Sequence, residues 1–365
     1  MKVLHLLAVG GVGGIESLIR DYSNLSTHEN IYMFVWGSGV NCDAIKKKGH
    51  SVIELNASKK DFLNIATKLY NLCKDEGIEA IVEHHTAPLL HLLVLLIRLR
   101  FKHIKFFAYA HSNAEDFFKP SKKKMLWLRG IILQKSFASA TKIIAISNSV
   151  KNSIINTLKI TDSRIEVIYN GVELSKFDCN KNIGQKLNIL YVGRLIKEKG
   201  VAKLLETLAL LNIPYKCLIV GDGPERENLT QLKESLGLID ENIEFCGAKR
   251  DIPNWHNKAD IFVHPAIWEE GFGITLVEAM ASGLPCVAFK KGAIPEIIQD
   301  GKNGFIVEKD TPEELAKAIE KIYNIKNNEP EKWEAMQKNA VERSKDFSIE
   351  KMVEGIDKLL EGKFE

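Results

Sequence analysis

The sequence predicts an α/β protein built of two doubly wound domains, each on a parallel sheet. Three observations carry that prediction. Short runs of apolar and β-branched residues alternate with helix-spaced stretches along nearly the whole chain. The alternation breaks once, at the polar stretch Ser175 to Lys186, and then restarts. Each half also carries a glycine-rich turn between a strand and a helix, the usual ligand end of a parallel sheet. With 365 residues there is room for two ordinary domains, expected at 1–178 and 187–345.

In the first half, residues 3–9 read as a strand, Gly10 to Gly14 as a tight turn and Ile15 to Arg20 as the opening of a helix. Ile31 to Trp36 is a strand ending in Gly37-Ser38-Gly39. Ser51 to Leu55 is a strand and Asp61 to Lys74 a helix. Ala80 to Glu83 is a strand, followed by an apolar helix over 87–99. Ile104 to Ala110 is a strand delivering His111. Lys122 to Lys135 is a helix, Lys142 to Ile146 a strand, Val150 to Leu158 a helix and Ile165 to Tyr169 a strand.

Beyond the polar stretch come strand Leu187 to Val192, helix 200–211, strand Tyr215 to Val220, helix 224–236 and strand Ile243 to Cys246. Strand 260–264 then leads into Glu270-Gly271-Phe272-Gly273-Ile274-Thr275-Leu276-Val277-Glu278. There Ile274, Val277, Ala281 and Leu284 repeat at helical spacing until Gly283 and Pro285 stop the helix. Val287 to Phe289, Phe305 to Val307 and helix 312–323 complete the half. Residues 346–365 read as a late amphipathic helix after Ser348, expected to fold back onto the first domain.

Composition narrows the class. A chain that is 45% hydrophobic and 27% charged reads as soluble and globular, and a net charge of +3 gives no reason to expect nucleic acid. Six scattered cysteines without a C-x-x-C pair suggest neither disulfides nor zinc, which suits a reducing cytoplasm. The run Val3 to Val9 carries a histidine and meets a glycine turn, so it is expected to be a strand and not a signal peptide. The apolar run Leu89 to Leu99 is too short to span a bilayer.

The turn at 270–273 has the attributes of an anion site: backbone amides at a helix start, a helix dipole with its positive end outward, and no Cβ at Gly271 or Gly273. Glu270 is expected to project from the loop, with Glu278 one turn inside the helix. Two acids beside a phosphate site make sense when hydroxyls stand between, as in a sugar nucleotide. The first glycine turn lacks the G-x-G-x-x-G spacing and a ribose-binding acid, which counts against NAD; without a Gly-Lys-Ser/Thr it is no P-loop. Arg194 and Lys199 follow the first strand of the second half. A planar fork and a point charge five residues apart suit one diphosphate.

These motifs, in order, are Gly13-Gly14-Ile15-Glu16, His111, Asn170-Gly171-Val172, Gly193-Arg194-Leu195 with Glu198-Lys199-Gly200, Gly221-Asp222-Gly223-Pro224, and Glu270-Gly271-Phe272-Gly273 with Glu278. Nearly end to end, the chain resembles the family 4 retaining glycosyltransferases of the GT-B fold. The resemblance implies two Rossmann-like domains facing across a cleft, the first taking the acceptor and the second a nucleotide-diphosphate sugar, with a UDP-sugar the first expectation. Implied catalytic residues are His111, Arg194, Lys199 and Glu270. Implied donor contacts are Gly14, Arg194, Lys199, Lys249, Arg250, Glu270, Gly271, Phe272, Gly273, Ile274, Thr275 and Glu278, the last holding the ribose. Lys249 and Arg250 stand where the family seats the base, or are solvent-facing cations. Gly14 lets its loop approach the phosphate, or is a buried packing glycine. Glu16 and His85 are nominated for the acceptor, while His84 and His85 also read as plain loop histidines.

The implied reaction transfers a hexosyl or N-acetylhexosaminyl group to a saccharide or lipid-linked acceptor of bacterial surface polysaccharide or glycolipid, by front-face displacement. Glu16 and Glu115 are the only nearby acids for a covalent route. No D-x-D occurs, so no metal or other cofactor is expected. One departure stands out: Gly292-Ala293-Ile294-Pro295-Glu296 keeps one glycine where the family often carries two. From Arg98 to Lys135 ten Lys and Arg face two acids, with Lys122-Lys123-Lys124 preceding Leu126, Trp127, Leu128, Ile131, Ile132 and Leu133. That pattern suits peripheral docking on an anionic membrane from the cytoplasm, or a solvated basic face over a core helix. Two other readings stay open, a sugar-nucleotide epimerase on the same scaffold and a non-catalytic nucleotide-sugar-binding protein.

Overall fold

The computed structural model describes residues 1–11, 13–58, 60–84, 88–118, 126–178 and 184–363. The chain divides into two compact units, one of Met1–Gly171 with Ile349–Glu365, the other of Val172–Ser348.

The first unit carries β1 (Lys2–Val9), β2 (Glu29–Gly37), β3 (Ser51–Glu54), β4 (Ala80–His84), β5 (Lys105–Ala110), β6 (Lys142–Ala145) and β7 (Ile165–Val167). They form one parallel sheet in the order β3-β2-β1-β4-β5-β6-β7. The second carries β8 (Leu187–Val192), β9 (Tyr215–Val220), β10 (Ile243–Gly247), β11 (Ile261–His264), β12 (Cys286–Phe289) and β13 (Gly304–Val307). Its order is β10-β9-β8-β11-β12-β13, again parallel. Two doubly wound sheets were expected, and two are found.

Helices cover both faces of such sheets, so central strands read as unbroken apolar runs. Val3, Leu4, Leu6 and Leu7 of β1 and Ile261, Phe262 and Val263 of β11 are all buried. Each such side chain contributes roughly 1.5–3 kcal/mol by leaving water. In both sheets the chain reverses direction beside its first strand. The switch point lies between β1 and β4 in one and between β8 and β11 in the other, where open α/β sheets bind ligands at the carboxyl ends of their strands.

Among the described residues, four α-helices have no counterpart in the sequence prediction: Val40–Lys47, Ile252–His256, Ile294–Ile297 and Pro330–Ser344. Val40–Lys47 buries only Asn41, Cys42 and Ile45, and Asn41 donates from Nδ2 to the Gly11 carbonyl at 2.6 Å, fastening the first glycine turn. Pro330–Ser344 restarts at a proline after Pro312–Asn328 and buries only Met336, Ala340 and Ser344, a stripe too thin to stand out. It packs against the helix Ile274–Ala281.

The late amphipathic helix, Ile349–Glu361, belongs to the first unit. Ile349, Met352, Val353, Ile356, Leu359 and Leu360 form its buried stripe. Asp357 is buried beside them and accepts from the Tyr22 hydroxyl at 2.8 Å, the Ser26 hydroxyl at 3.0 Å and the Thr27 amide at 2.9 Å. A buried carboxylate needs such donors to offset its lost hydration.

Candidate active site

Within the second unit, the turn after β8 and the turn after β11 flank the switch point. The first turn runs from Gly193 through a short 3-10 stretch, Lys197–Lys199, to Gly200, after which the helix Val201–Leu208 begins. Lys199 therefore precedes the helix. The Ile267 amide donates to the Glu198 carbonyl at 3.0 Å and joins the two turns.

Their side chains meet at Glu270. Lys199 Nζ lies 2.7 Å from Glu270 Oε2; His264 Nε2 and Trp268 Nε1 each lie 3.2 Å from the same oxygen. Lys199 also stands 5.4 Å from the Trp268 ring centre. The expectation that Glu270 projects from its loop is corrected here: the carboxylate is folded inward onto three donors. Burial alone would raise its pKa, but His264 and Lys199 hold it well below the usual carboxylate range. Burial in turn lowers His264, which Glu270 only partly offsets, so the ring is neutral at pH 7 and donates through Nε2. Since all three donors converge on Oε2, Oε1 has no partner among the described residues.

The backbone under Glu270 explains the single retained glycine of the 292 loop. Gly292 has φ +52, and a Cβ there would strike the Glu270 carbonyl oxygen and amide. Ala293 N donates to the Glu270 carbonyl at 2.9 Å, and Gly292 N to Glu269 Oε2 at 2.6 Å. The loop braces Glu270 from below.

Arg194 is exposed, and no described side chain pairs with it. Gly273, at φ +111, caps the helix Ile274–Ala281. The amides of Gly273, Ile274 and Thr275 have no partner among the described residues, as an anion site at a helix start requires. The Phe272 side chain is buried and meets Phe347 edge to face at 5.5 Å, so only its backbone can serve a ligand. Gly271 is half-buried in the same turn, and Glu278 is half-buried at the fifth position of the helix. Lys249 and Arg250 are both exposed after β10, Lys249 lying 5.6 Å from the Trp255 ring centre. Sequence reasoning missed His264, Trp268 and Gly292. A signal existed for the first, since His264 ends its strand as His111 follows its own.

In the first unit, Gly14 is exposed and a Cβ there would meet nothing within 4 Å, which corrects the packing alternative. Glu16 lies in the first turn of the helix Gly14–Ser23 with its carboxylate folded over Gly13, where burial raises its pKa. Glu115 accepts from Ser153 and, at 2.8 Å, from Thr157 on the helix Asn148–Leu158. His85 lies outside the described residues, as do Lys122, Lys123, Lys124 and the side chains of Leu126, Trp127 and Leu128. Of the expected docking helix, Leu133 is buried and Ile131 exposed.

His111 follows β5 and is half-buried. His84, expected to be a loop histidine, is instead fully buried at the end of β4. Its Nδ1 lies 3.0 Å from His111 Nε2, and its Nε2 lies 3.0 Å from Nδ1 of the buried His5. Burial holds His5 down to about 4, His111 down to about 3 and His84 well below the usual imidazole range. All three are neutral at pH 7.

Among the described residues no group of three or more His, Cys, Asp or Glu is placed to hold a metal ion, and no helix is long and apolar enough to cross a membrane.

Known proteins give the class. The fold is shared with a crystal structure of Anabaena HepE in complex with UDP, at a TM-score of 0.84 over 99% of this chain and 100% of that one, with 21% identity. The family profile described as Glycosyl transferases group 1 matches residues 175–343, and that described as Glycosyltransferase Family 4 matches residues 12–176. An uncharacterized glycosyltransferase of Methanocaldococcus jannaschii is 32% identical over 296 residues, covering 80% of this chain and 77% of that protein. The capsular polysaccharide biosynthesis glycosyltransferase CapM of Staphylococcus aureus is 30% identical over 202 residues, 51% of this chain and 53% of CapM. Fold and sequence together define a GT-B glycosyltransferase. The chain belongs to the group 1, family 4 glycosyltransferases.

Proposed function

We propose that this enzyme is a retaining transferase that moves a hexosyl or N-acetylhexosaminyl group from a UDP-sugar to a saccharide or lipid-linked acceptor of bacterial surface polysaccharide or glycolipid, without a metal. The observation that carries the reading is the Glu270 cluster: one oxygen held by Lys199, His264 and Trp268, the other left to accept from a hydroxyl. The same unit carries exposed Arg194 after β8 and three unpaired amides at the helix start that follows Glu270.

In this reading the amides of Gly273 to Thr275 and the Arg194 and Lys199 cations hold the pyrophosphate and stabilise the charge that grows on it as the glycosidic bond breaks. Glu278 holds the ribose, Glu270 meets a hydroxyl of the donor sugar, and the departing phosphate oxygen takes the acceptor's proton; His111 is assigned to a substrate hydroxyl. Glu16 and the exposed Lys249 and Arg250 are assigned to acceptor and base. The UDP complex of HepE and the capsular role of CapM support the choice of donor and acceptor class. The basic stretch from Arg98 to Lys135 supports peripheral docking on the cytoplasmic face of an anionic membrane.

Incubation with UDP-, GDP- and ADP-sugars, in buffer with and without EDTA, tests the proposal. Slow hydrolysis of a UDP-sugar that survives EDTA is expected. Epimerised donor, or no reaction with any sugar nucleotide, would overturn it. The anomeric configuration of the transferred sugar, read by NMR, tests retention.

A further inference from the structure

Four polar side chains lie on one face of the seven-stranded sheet. Asn30 of β2 sits in register with Val3, His5 of β1 with Val82, and His84 of β4 with Tyr109. Alternate residues of a strand share a face. Each partner in the chain Asn30, His5, His84, His111 therefore lies two residues further toward the carboxyl edge than the one before. The polar line climbs diagonally through an apolar core and emerges at His111.

Its hydrogen bonds have only one consistent direction. Asp357 can only accept, and Ser26 Oγ spends its single proton on that side, on Asp357 at 3.0 Å or on the Tyr22 hydroxyl at 3.0 Å. Ser26 Oγ must then accept from Asn30 Nδ2, at 3.0 Å; the His28 carbonyl, 3.2 Å away, demands the same nitrogen. That turns the Asn30 oxygen toward His5 Nε2, at 3.0 Å, so His5 carries its proton on Nε2. A neutral imidazole has one donor and one acceptor. His5 Nδ1 accordingly accepts from His84 Nε2, and His84 Nδ1 accepts from His111 Nε2. Ring centres 5.3 Å apart at 24° and 20° show the imidazoles meeting edge to edge, as such bonds require. His111 Nδ1 has no partner among the described residues.

We propose that Asp357, Ser26, Asn30, His5 and His84 form a one-way relay that fixes His111 as its Nε2–H tautomer, leaving Nδ1 as an acceptor for a substrate hydroxyl. His5, His84 and Asn30 are thus positioning residues, acting on the reaction through His111. The substrate half of this inference rests on the transferase reading; the tautomer half does not. A group lacking a donor proton, such as an ether oxygen or a ketone, is refused at this position, because two lone pairs would face each other.

Long-range proton–nitrogen NMR on histidine-labelled protein at pH 7 tests the relay, with His111→Phe assigning the signals. Expected is a His111 ring protonated on Nε2 and bare on Nδ1; the opposite tautomer or an even mixture would overturn the proposal. Asn30→Asp gives a second test, because it keeps the shape of the side chain. A carboxylate beside His5 makes that ring an imidazolium, which donates from both nitrogens. The direction then reverses along the line, and His111 becomes the Nδ1–H tautomer. An unchanged His111 spectrum in this variant would overturn the relay. Turnover of a UDP-sugar separates the two halves: reversal is expected to lower kcat about tenfold, the loss of about one hydrogen bond. Reversed tautomers with parental kcat would uphold the relay and remove His111 from the reaction.

Discussion

Lys199 and Glu270 are 71 residues apart in the chain, yet Nζ and Oε2 meet at 2.7 Å, each side chain less than one-fifth exposed. A pair this shielded from water depends on both members. Lys199→Ala is expected to lower kcat ~10²–10³-fold by removing charge beside the leaving group. In a double-mutant cycle on thermal stability, Lys199→Ala and Glu270→Gln should couple by about 1 kcal/mol or more. Additive effects would show the contact to be energetically idle.

Arg194 behaves differently because no described side chain pairs with it. Arg194→Ala should leave the urea midpoint within about 0.5 kcal/mol of the parent while depressing donor turnover strongly. Arg194→Lys should restore only part of the rate, since a point charge cannot fork across two phosphate oxygens.

Gly292→Ala forces a Cβ into the Glu270 backbone at a left-handed φ. The cost is expected to be ~1–3 kcal/mol in stability, together with a fall in kcat as Glu270 shifts off its three donors. Melting temperature and initial rates measure the two effects separately. Glycine at Ala293, where no such contact arises, should not compensate.

Acid should weaken the first unit through its buried histidines. Burial holds His5 at about 4 against an ordinary value of 6.5. Below pH 6.5 the unfolded chain takes up a proton that the folded chain refuses, so stability falls with pH over the window from about 6.5 to 4. The contribution is complete above 6.5 and is lost at about 1.4 kcal/mol per pH unit for this residue. Asn30, His84, His28, Tyr22, Tyr32 and Asp357 surround it; the Asn30 hydrogen bond and then Asp357 oppose the shift only in part. Urea midpoints at pH 7.5 and pH 5 check the slope, which His5→Gln should flatten.

Much of this molecule can be read from residue order, because parallel sheets covered on both faces leave unbroken apolar runs such as Ile261 to Val263. The glycine turns, Arg194, Lys199 and Glu270 are legible for a similar reason: each stands just past a strand, where the sheet's direction dictates what side chains can do. What escapes is whatever depends on contacts across the sheet. His5 and His84 each look like an isolated polar residue at a strand, and only the order β2-β1-β4-β5 ties them to His111. The inward turn of Glu270 escapes likewise, being set by His264, Trp268 and the loop at Gly292. The helix Pro330–Ser344 escapes because three small or slender contacts suffice once a neighbouring helix is present.

Tyr22 and Asp357 share a hydrogen bond across 335 residues of chain. During synthesis the first sheet therefore emerges from the ribosome long before the carboxylate that completes its polar line. Until the helix Ile349–Glu361 arrives, Tyr22, Ser26 and Thr27 lack their common acceptor, and the surface that the helix's apolar stripe covers is bare. The unit translated first must wait, half-finished, while the whole of its neighbour is made, which is the interval in which chaperones have most to protect.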